Sequence, residues 1–132
     1  MTAARLAIVL ASLVAPALAD GARAQTAPDP GNPRYQFETP VAPAQNRVYW
    51  LDRASGIVGA CQYQTGGGPN GTMACFEPGE GSINQAAGDY ALLRSAWVSE
   101  FGIFRVDHRS GRMALCFVRD TKVVCTPQSG GR

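Results

Sequence analysis

Four cysteines, one histidine and two Asp-x-x-Ser-Gly clusters are the residues of this 132-residue chain whose types and spacing could do chemistry. The cysteines stand as Cys61-x13-Cys75 and Cys116-x8-Cys125. Thiols serve as metal ligands or as disulfides. Structural zinc sites draw on C-x2-C pairs or on several histidines; the sequence holds no such pair, and His108 is its only imidazole. Two disulfides are the economical reading, and they belong to an oxidising compartment. Asp52 with Ser55 and Gly56, and Asp107 with Ser110 and Gly111, offer carboxylates and hydroxyls for acid–base or nucleophilic work. A nucleophile needs an activating base, however, and none accompanies either serine. The same residues suit a turn: Asp and Ser accept bonds from backbone N–H groups, and Gly supplies a positive φ. All six are therefore read as structural turn residues. His108, which stands where the first cluster has Arg53, is read as a solvated loop residue. No catalytic, cofactor-binding or metal-binding residue is expected, and the chain is read as non-enzymatic.

These clusters lie in an internal repeat. At an offset of 55, Tyr35 meets Tyr90, Val48 meets Ile103, Tyr49 meets Phe104, Asp52 meets Asp107, Gly56 meets Gly111 and Cys61 meets Cys116, without a gap. The second copy is then five residues shorter, the difference falling in the Gly-rich tip from Thr65 to Gly71, and Cys75 meets Cys125. Such self-similarity marks one structural unit used twice.

Each copy reads as a β meander. Arg47-Val-Tyr-Trp-Leu-Asp52 and Gly102-Ile-Phe-Arg-Val-Asp107 are rich in β-branched and aromatic residues, as strands are. Hairpin loops follow at Arg53–Gly56 and His108–Gly111, then returning strands at Ile57–Tyr63 and Arg112–Val118. Pairing Asp52 with Ile57 sets Leu51 against Val58 and Tyr49 against Ala60, with Val106/Met113 and Phe104/Leu115 as counterparts. That makes one consistently apolar face in each copy. On the other face Val48 meets Cys61 and Ile103 meets Cys116, over a second apolar layer. A third strand, Thr72–Phe76 or Lys122–Thr126, places Cys75 opposite Cys61 and Cys125 opposite Cys116, close enough for cross-strand disulfides. Each would contribute about 3 kcal/mol by the chain-entropy estimate. Tyr35–Pro40 and Tyr90–Ser99 add one more strand per copy, although Ala91–Trp97 also fits a short helix. The expected fold is all-β: two tandem three- to four-stranded antiparallel meanders packed with approximate two-fold symmetry as a small sandwich or barrel-like body.

The pattern Leu51-Asp-x-x-Ser-Gly-x-x-x-x-Cys61, repeated from Val106 to Cys116, resembles the L-D-x-x-[ST]-G-x-x-x-x-C β-hairpin of small exported proteobacterial proteins without an assigned function. More remotely, Asp-x-x-Ser-Gly after a hydrophobic strand resembles the turn of quinoprotein-type propeller repeats. There a Trp stands where this chain has Cys, and two copies cannot close a propeller. That resemblance implies the hairpin alone, with neither quinone binding nor dehydrogenase activity.

Export is also read from the N-terminus. Arg5 precedes the 13-residue apolar run from Leu6 to Leu18, and Ala22-Arg-Ala24 offers a small-residue cleavage site. The organisation expected is a signal peptide over 1–24, a flexible linker over 25–34, repeat 1 over 35–76, a connector over 77–89, repeat 2 over 90–127 and a disordered tail over 128–132. No later stretch has the length of a membrane helix, and the mature protein is placed in the periplasm or outside the cell.

The two copies differ in charge. Residues 25–89 carry 3 basic and 6 acidic side chains, residues 90–132 carry 7 and 3. Arg105, Arg109 and Arg112 replace Trp50, Ala54 and Ile57, and Arg119 replaces Gln64, which gives the second hairpin a basic rim. With Trp50 as an apolar anchor on the other copy, these arginines form the candidate binding surface, for an envelope protein or an anionic cell-wall component. An overall charge of only +2 argues against nucleic acid. The alternatives are a small secreted hydrolase inhibitor that inserts the Thr65–Gly71 loop into a cleft, and an enzyme using His108 beside Asp107 or Asp52.

Overall fold

The structure, a computed structural model, describes residues 31–42, 46–83 and 85–130. The expected signal peptide, over 1–24, lies outside them.

Among the described residues eight strands make up the fold: β1 (Tyr35–Glu38), β2 (Arg47–Asp52), β3 (Val58–Gln64), β4 (Thr72–Pro78), β5 (Tyr90–Leu93), β6 (Ile103–Asp107), β7 (Met113–Arg119) and β8 (Lys122–Pro127). Residues 90–93 are strand, which decides between the strand and helix readings of that segment. The strands form one sheet in the order β1-β2-β3-β4-β8-β7-β6-β5, curled into a nearly closed barrel. Hairpin registers follow from turn length and the two-residue period. Leu51 pairs with Val58 and Tyr49 with Ala60, and in the second copy Val106 pairs with Met113 and Phe104 with Leu115. Cys61 faces Cys75 and Cys116 faces Cys125, both at a Cα separation of 4.0 Å, and both pairs are disulfide-bonded.

The packing departs from two-fold symmetry, because the two copies turn opposite faces inward. In repeat 1 the core takes Tyr49, Leu51, Val58 and Ala60, all at 0% exposure. Their equivalents Phe104, Val106, Met113 and Leu115 lie on the outer face, with Met113 at 49%. Conversely, Ile103, Cys116, Val123 and Leu92 are buried while their equivalents Val48, Cys61, Met73 and Phe37 face out, Met73 at 64% and Phe37 at 66%. Strand order explains the inversion. β4 and β8 are equivalent strands that pair in parallel, Glu77 with Lys122 and Pro78 with Val123. From that seam the repeats run away in mirrored lateral order with strand direction kept. The rotation that does both turns a sheet over, so one repeat presents to the barrel interior the face that the other presents to solvent. One disulfide, Cys116–Cys125, is consequently in the core and the other, Cys61–Cys75, lies outside.

The second seam joins the other equivalent pair, β1 and β5, through a side chain. The Gln36 amide donates to the Leu92 carbonyl at 3.0 Å and accepts from the Leu92 N–H at 2.9 Å, substituting for a backbone ladder. Arg94 and Glu38 add an ion pair at 3.3 Å beside it. Edge strands left open are templates for unwanted pairing, and closure removes them.

Candidate functional site

The two hairpin turns are built alike. Asp52 N–H donates to the Ile57 carbonyl at 3.0 Å and Gly56 N–H to the Asp52 carbonyl at 2.8 Å; the matching bonds at Asp107, Arg112 and Gly111 are 2.9 and 2.8 Å. Gly56 and Gly111 both sit at φ 69°, which only glycine adopts without cost. The Asp side chains hold the turns from inside: Asp52 Oδ1 accepts from the Ala54 amide at 3.0 Å, and Asp107 Oδ1 from the Arg109 amide at 3.1 Å.

The second carboxylate oxygen separates the copies. Asp107 Oδ2 accepts from the Ser110 hydroxyl at 2.5 Å. Asp52 Oδ2 instead accepts from Arg34, through Nη2 at 2.8 Å and Nε at 3.1 Å, and the buried Ser55 hydroxyl has no hydrogen-bond partner among the described residues. Both carboxyls lie below the ordinary range. At Asp52 burial alone would raise the value, but the Arg34 bond, the Ala54 and Ser55 amides and the Arg34 charge outweigh it. At Asp107 the Ser110 bond leads, with amides of Arg109, Asp89 and Ser110 overcoming the opposing effect of burial. A carboxyl depressed on folding contributes stability that is complete above its unfolded value, about 3.9, and is lost as pH falls through the lower folded value. The urea midpoint is therefore expected to be flat between about pH 7 and 5 and to fall below about pH 4. Asp52→Asn should lower it at pH 7 and differ less from the parent chain near pH 2; an equal difference at both pH values would remove the carboxylate from the explanation.

The candidate binding residues do not form one surface. Trp50 lies on the outer face of repeat 1, half-buried, with Tyr35 packed edge-on at 6.3 Å between ring centroids. Its indole covers Gly59, where a Cβ would come within 2.3 Å of the ring; glycine there lets the Trp lie flat across β3. Arg119 stands at the β7–β8 end, 3.7 Å from Glu80. Arg109 and His108 are exposed on the β6–β7 turn.

Arg105 is not on a basic rim. The inversion of repeat 2 carries it into the barrel wall at 7% exposure. Its Nη1 donates to the Gly56 carbonyl at 2.8 Å and its Nη2 to Gln85 Oε1 at 3.1 Å, and the guanidinium lies 5.8 Å from the Tyr90 ring centre. Burial lowers its pKa, the neighbouring Tyr90 opposing. Among the described residues no carboxylate approaches Arg105 within ion-pair distance. Arg105 lines a cavity of about 290 Å³ together with Gln85, Tyr90, Asp107, Ser110, Arg112 and Gln128, so that its lining carries two arginines and one carboxylate. Two of the five Arg105 N–H donors are engaged by protein among the described residues. Among the described residues no group of three or more His, Cys, Asp or Glu side chains could hold a metal ion.

Sequence reasoning missed Gln36, Gln85 and Ser82. Ser82, in the connector, is fully buried; its hydroxyl donates toward the Gly79 and Val123 carbonyls at 3.0 and 2.9 Å and accepts from the Gly79 amide at 2.7 Å. A lone Ser or Gln in a polar stretch carries no signal of such a role.

Fold and site together define a class: a disulfide-stapled, nearly closed eight-stranded β barrel made of two inverted repeats, with a cavity lined by two arginines and one carboxylate in the wall of the second. No protein family, curated protein or solved structure matches the chain.

Proposed function

We propose that this protein is an exported, non-enzymatic binding module of the periplasm or extracellular space, and that the Arg105 cavity takes an anionic group. The disulfides support the oxidising compartment, and the leader-like residues 1–24 support export. Arg105 carries the ligand reading. A guanidinium taken out of water is costly without a counter-charge; this one faces a cavity that Arg112 and Asp107 also line, and the Asp107 oxygens are already taken by the Asp89 and Arg109 amides and the Ser110 hydroxyl, which leaves the lining net positive. A carboxylate entering there gains charge-assisted bonds from a donor already oriented by Gly56 and Gln85. Anionic cell-wall fragments are the favoured ligand, and acidic segments of envelope proteins the alternative.

Calorimetric titration of the mature protein with muropeptides bearing free carboxylates, and with their amidated forms, tests this. Carboxylate forms should bind and amidated ones should not. Arg112→Gln, away from the bonds that tie Arg105 into the fold, should weaken binding about tenfold or more, as expected for a charged hydrogen bond. Equal binding of both forms, or no effect of Arg112→Gln, rejects the cavity; binding of acidic peptides alone selects the protein ligand.

A further inference from the structure

The inverted packing leaves two exposed faces that are each other's complements. Call the face of repeat 1 that enters the core face A, with Tyr49, Leu51, Val58 and Ala60, and the face that repeat 2 turns inward face B, with Ile103, Ala114, Cys116 and Val123. The core is face A of repeat 1 packed on face B of repeat 2. Outside remain face B of repeat 1 and face A of repeat 2, and neither has the polar alternation of a solvated antiparallel sheet. Face B of repeat 1 presents Tyr35, Phe37, Val48, Trp50, Tyr63 and Met73 around the outer disulfide. Face A of repeat 2 presents Leu93, Phe104, Met113, Leu115 and Phe117, and an apolar groove lined by Phe104, Met113 and Leu115 runs along it. Contiguous exposed apolar surface of this kind marks an interaction site.

We propose that the partner on these faces is a second copy of this chain, face A of repeat 2 packing on face B of repeat 1 of the next molecule. Tyr35, Phe37, Val48 and Met73 on one exposed face have the core residues Tyr90, Leu92, Ile103 and Val123 as sequence equivalents, and Phe104, Met113 and Leu115 on the other have Tyr49, Val58 and Ala60, all packed against the opposite type of face inside the barrel; only Trp50, Leu93 and Phe117 have polar equivalents, in Arg105, Glu38 and Gln62. The contact between molecules thus repeats the contact within one. Charge points the same way at the level of whole repeats: residues 25–89 carry a net −3, and residues 90–132 a net +4 that falls to +3 when the buried Arg105 is set aside. Such a contact joins unlike surfaces, so it is head-to-tail and propagates beyond a dimer unless the rotation closes a ring.

Sedimentation velocity on the mature, disulfide-bonded protein across a concentration series tests the inference. The parent chain should associate beyond the dimer. Met73→Glu spoils only face B of repeat 1, and Met113→Glu only face A of repeat 2; both side chains are exposed enough for folding to be unaffected, which far-ultraviolet circular dichroism checks. Each variant alone should be monomeric. An equimolar mixture should give a species of twice the monomer mass and nothing larger, because each variant keeps the face that the other has lost. A monomeric parent chain at all concentrations overturns the proposal. So does a variant that still dimerises alone, which would mean a like-to-like contact, or a mixture that stays monomeric.

Discussion

Replacing Cys116 and Cys125 together by alanine is expected to destabilise the fold by about 4–5 kcal/mol, against about 3 kcal/mol for the Cys61/Cys75 pair. Loop length alone predicts the opposite order. The sequence separations are 14 for Cys61–Cys75 and 9 for Cys116–Cys125, and chain entropy favours the longer loop by about 0.4 kcal/mol. Burial reverses this. Cys116 and Cys125 are 0% and 5% exposed and belong to the core cluster with Ile103 and Val123, whereas Cys75 is exposed and Cys61 half-buried. Deleting two core sulfurs adds a transfer and cavity penalty of about 1 kcal/mol each; deleting the outer pair adds little. Guanidinium unfolding of the two double variants, with unchanged slopes, measures the difference. Equal losses, or a larger loss for the outer pair, would contradict the inward placement of face B in repeat 2.

Gly81→Ala should cost about 3 kcal/mol or more and lower the melting temperature by about 12 °C or more. Gly81 has φ +70°, and a Cβ there would lie 2.1 Å from the carbonyl oxygen of Cys125. That oxygen belongs to the backbone of a core strand, held in place by the Cys125 N–H bond to the Glu80 carbonyl at 2.9 Å and by the disulfide. Neither side can yield without breaking the contact that seats Ser82 between β4 and β8. Gly111→Ala is the control. Its φ is +69° but nothing lies within 4 Å of the added carbon, so only the left-handed backbone penalty of about 1 kcal/mol applies. Differential scanning calorimetry of the pair separates collision from conformational cost, and similar losses at both positions would show that the collision is relieved.

The local architecture was legible in the sequence for a definite reason. The 55-residue repeat, the Asp-x-x-Ser-Gly turns and the two-residue β7–β8 turn each fix a hairpin, and a hairpin fixes its own register. The partners of Tyr49, Phe104 and all four cysteines follow from within one copy. Arg105 shows where this reasoning ends. Its replacement of Trp50 implies a basic rim only if the same position in the repeat means the same position in space, and the inversion of repeat 2 breaks that equivalence.

Which face of each copy becomes core is not a local property. Both faces of both meanders carry apolar residues, so the alternation has no sign to read: Val48 and Tyr49 are as apolar as Ile103 and Phe104. The parallel β4–β8 pairing and the Gln36 closure set the sign, and both join residues far apart in the chain, at Glu77–Lys122 and Gln36–Leu92. The sequence by itself determined the strands, their registers, the turns and the disulfide pairs, since turn chemistry and the pleat act over a few residues. Only the tertiary structure decided that the second copy is inverted, that Arg105 is buried beside a cavity and that one disulfide is inside and the other out. Those outcomes depend on how two nearly identical units share a single interior.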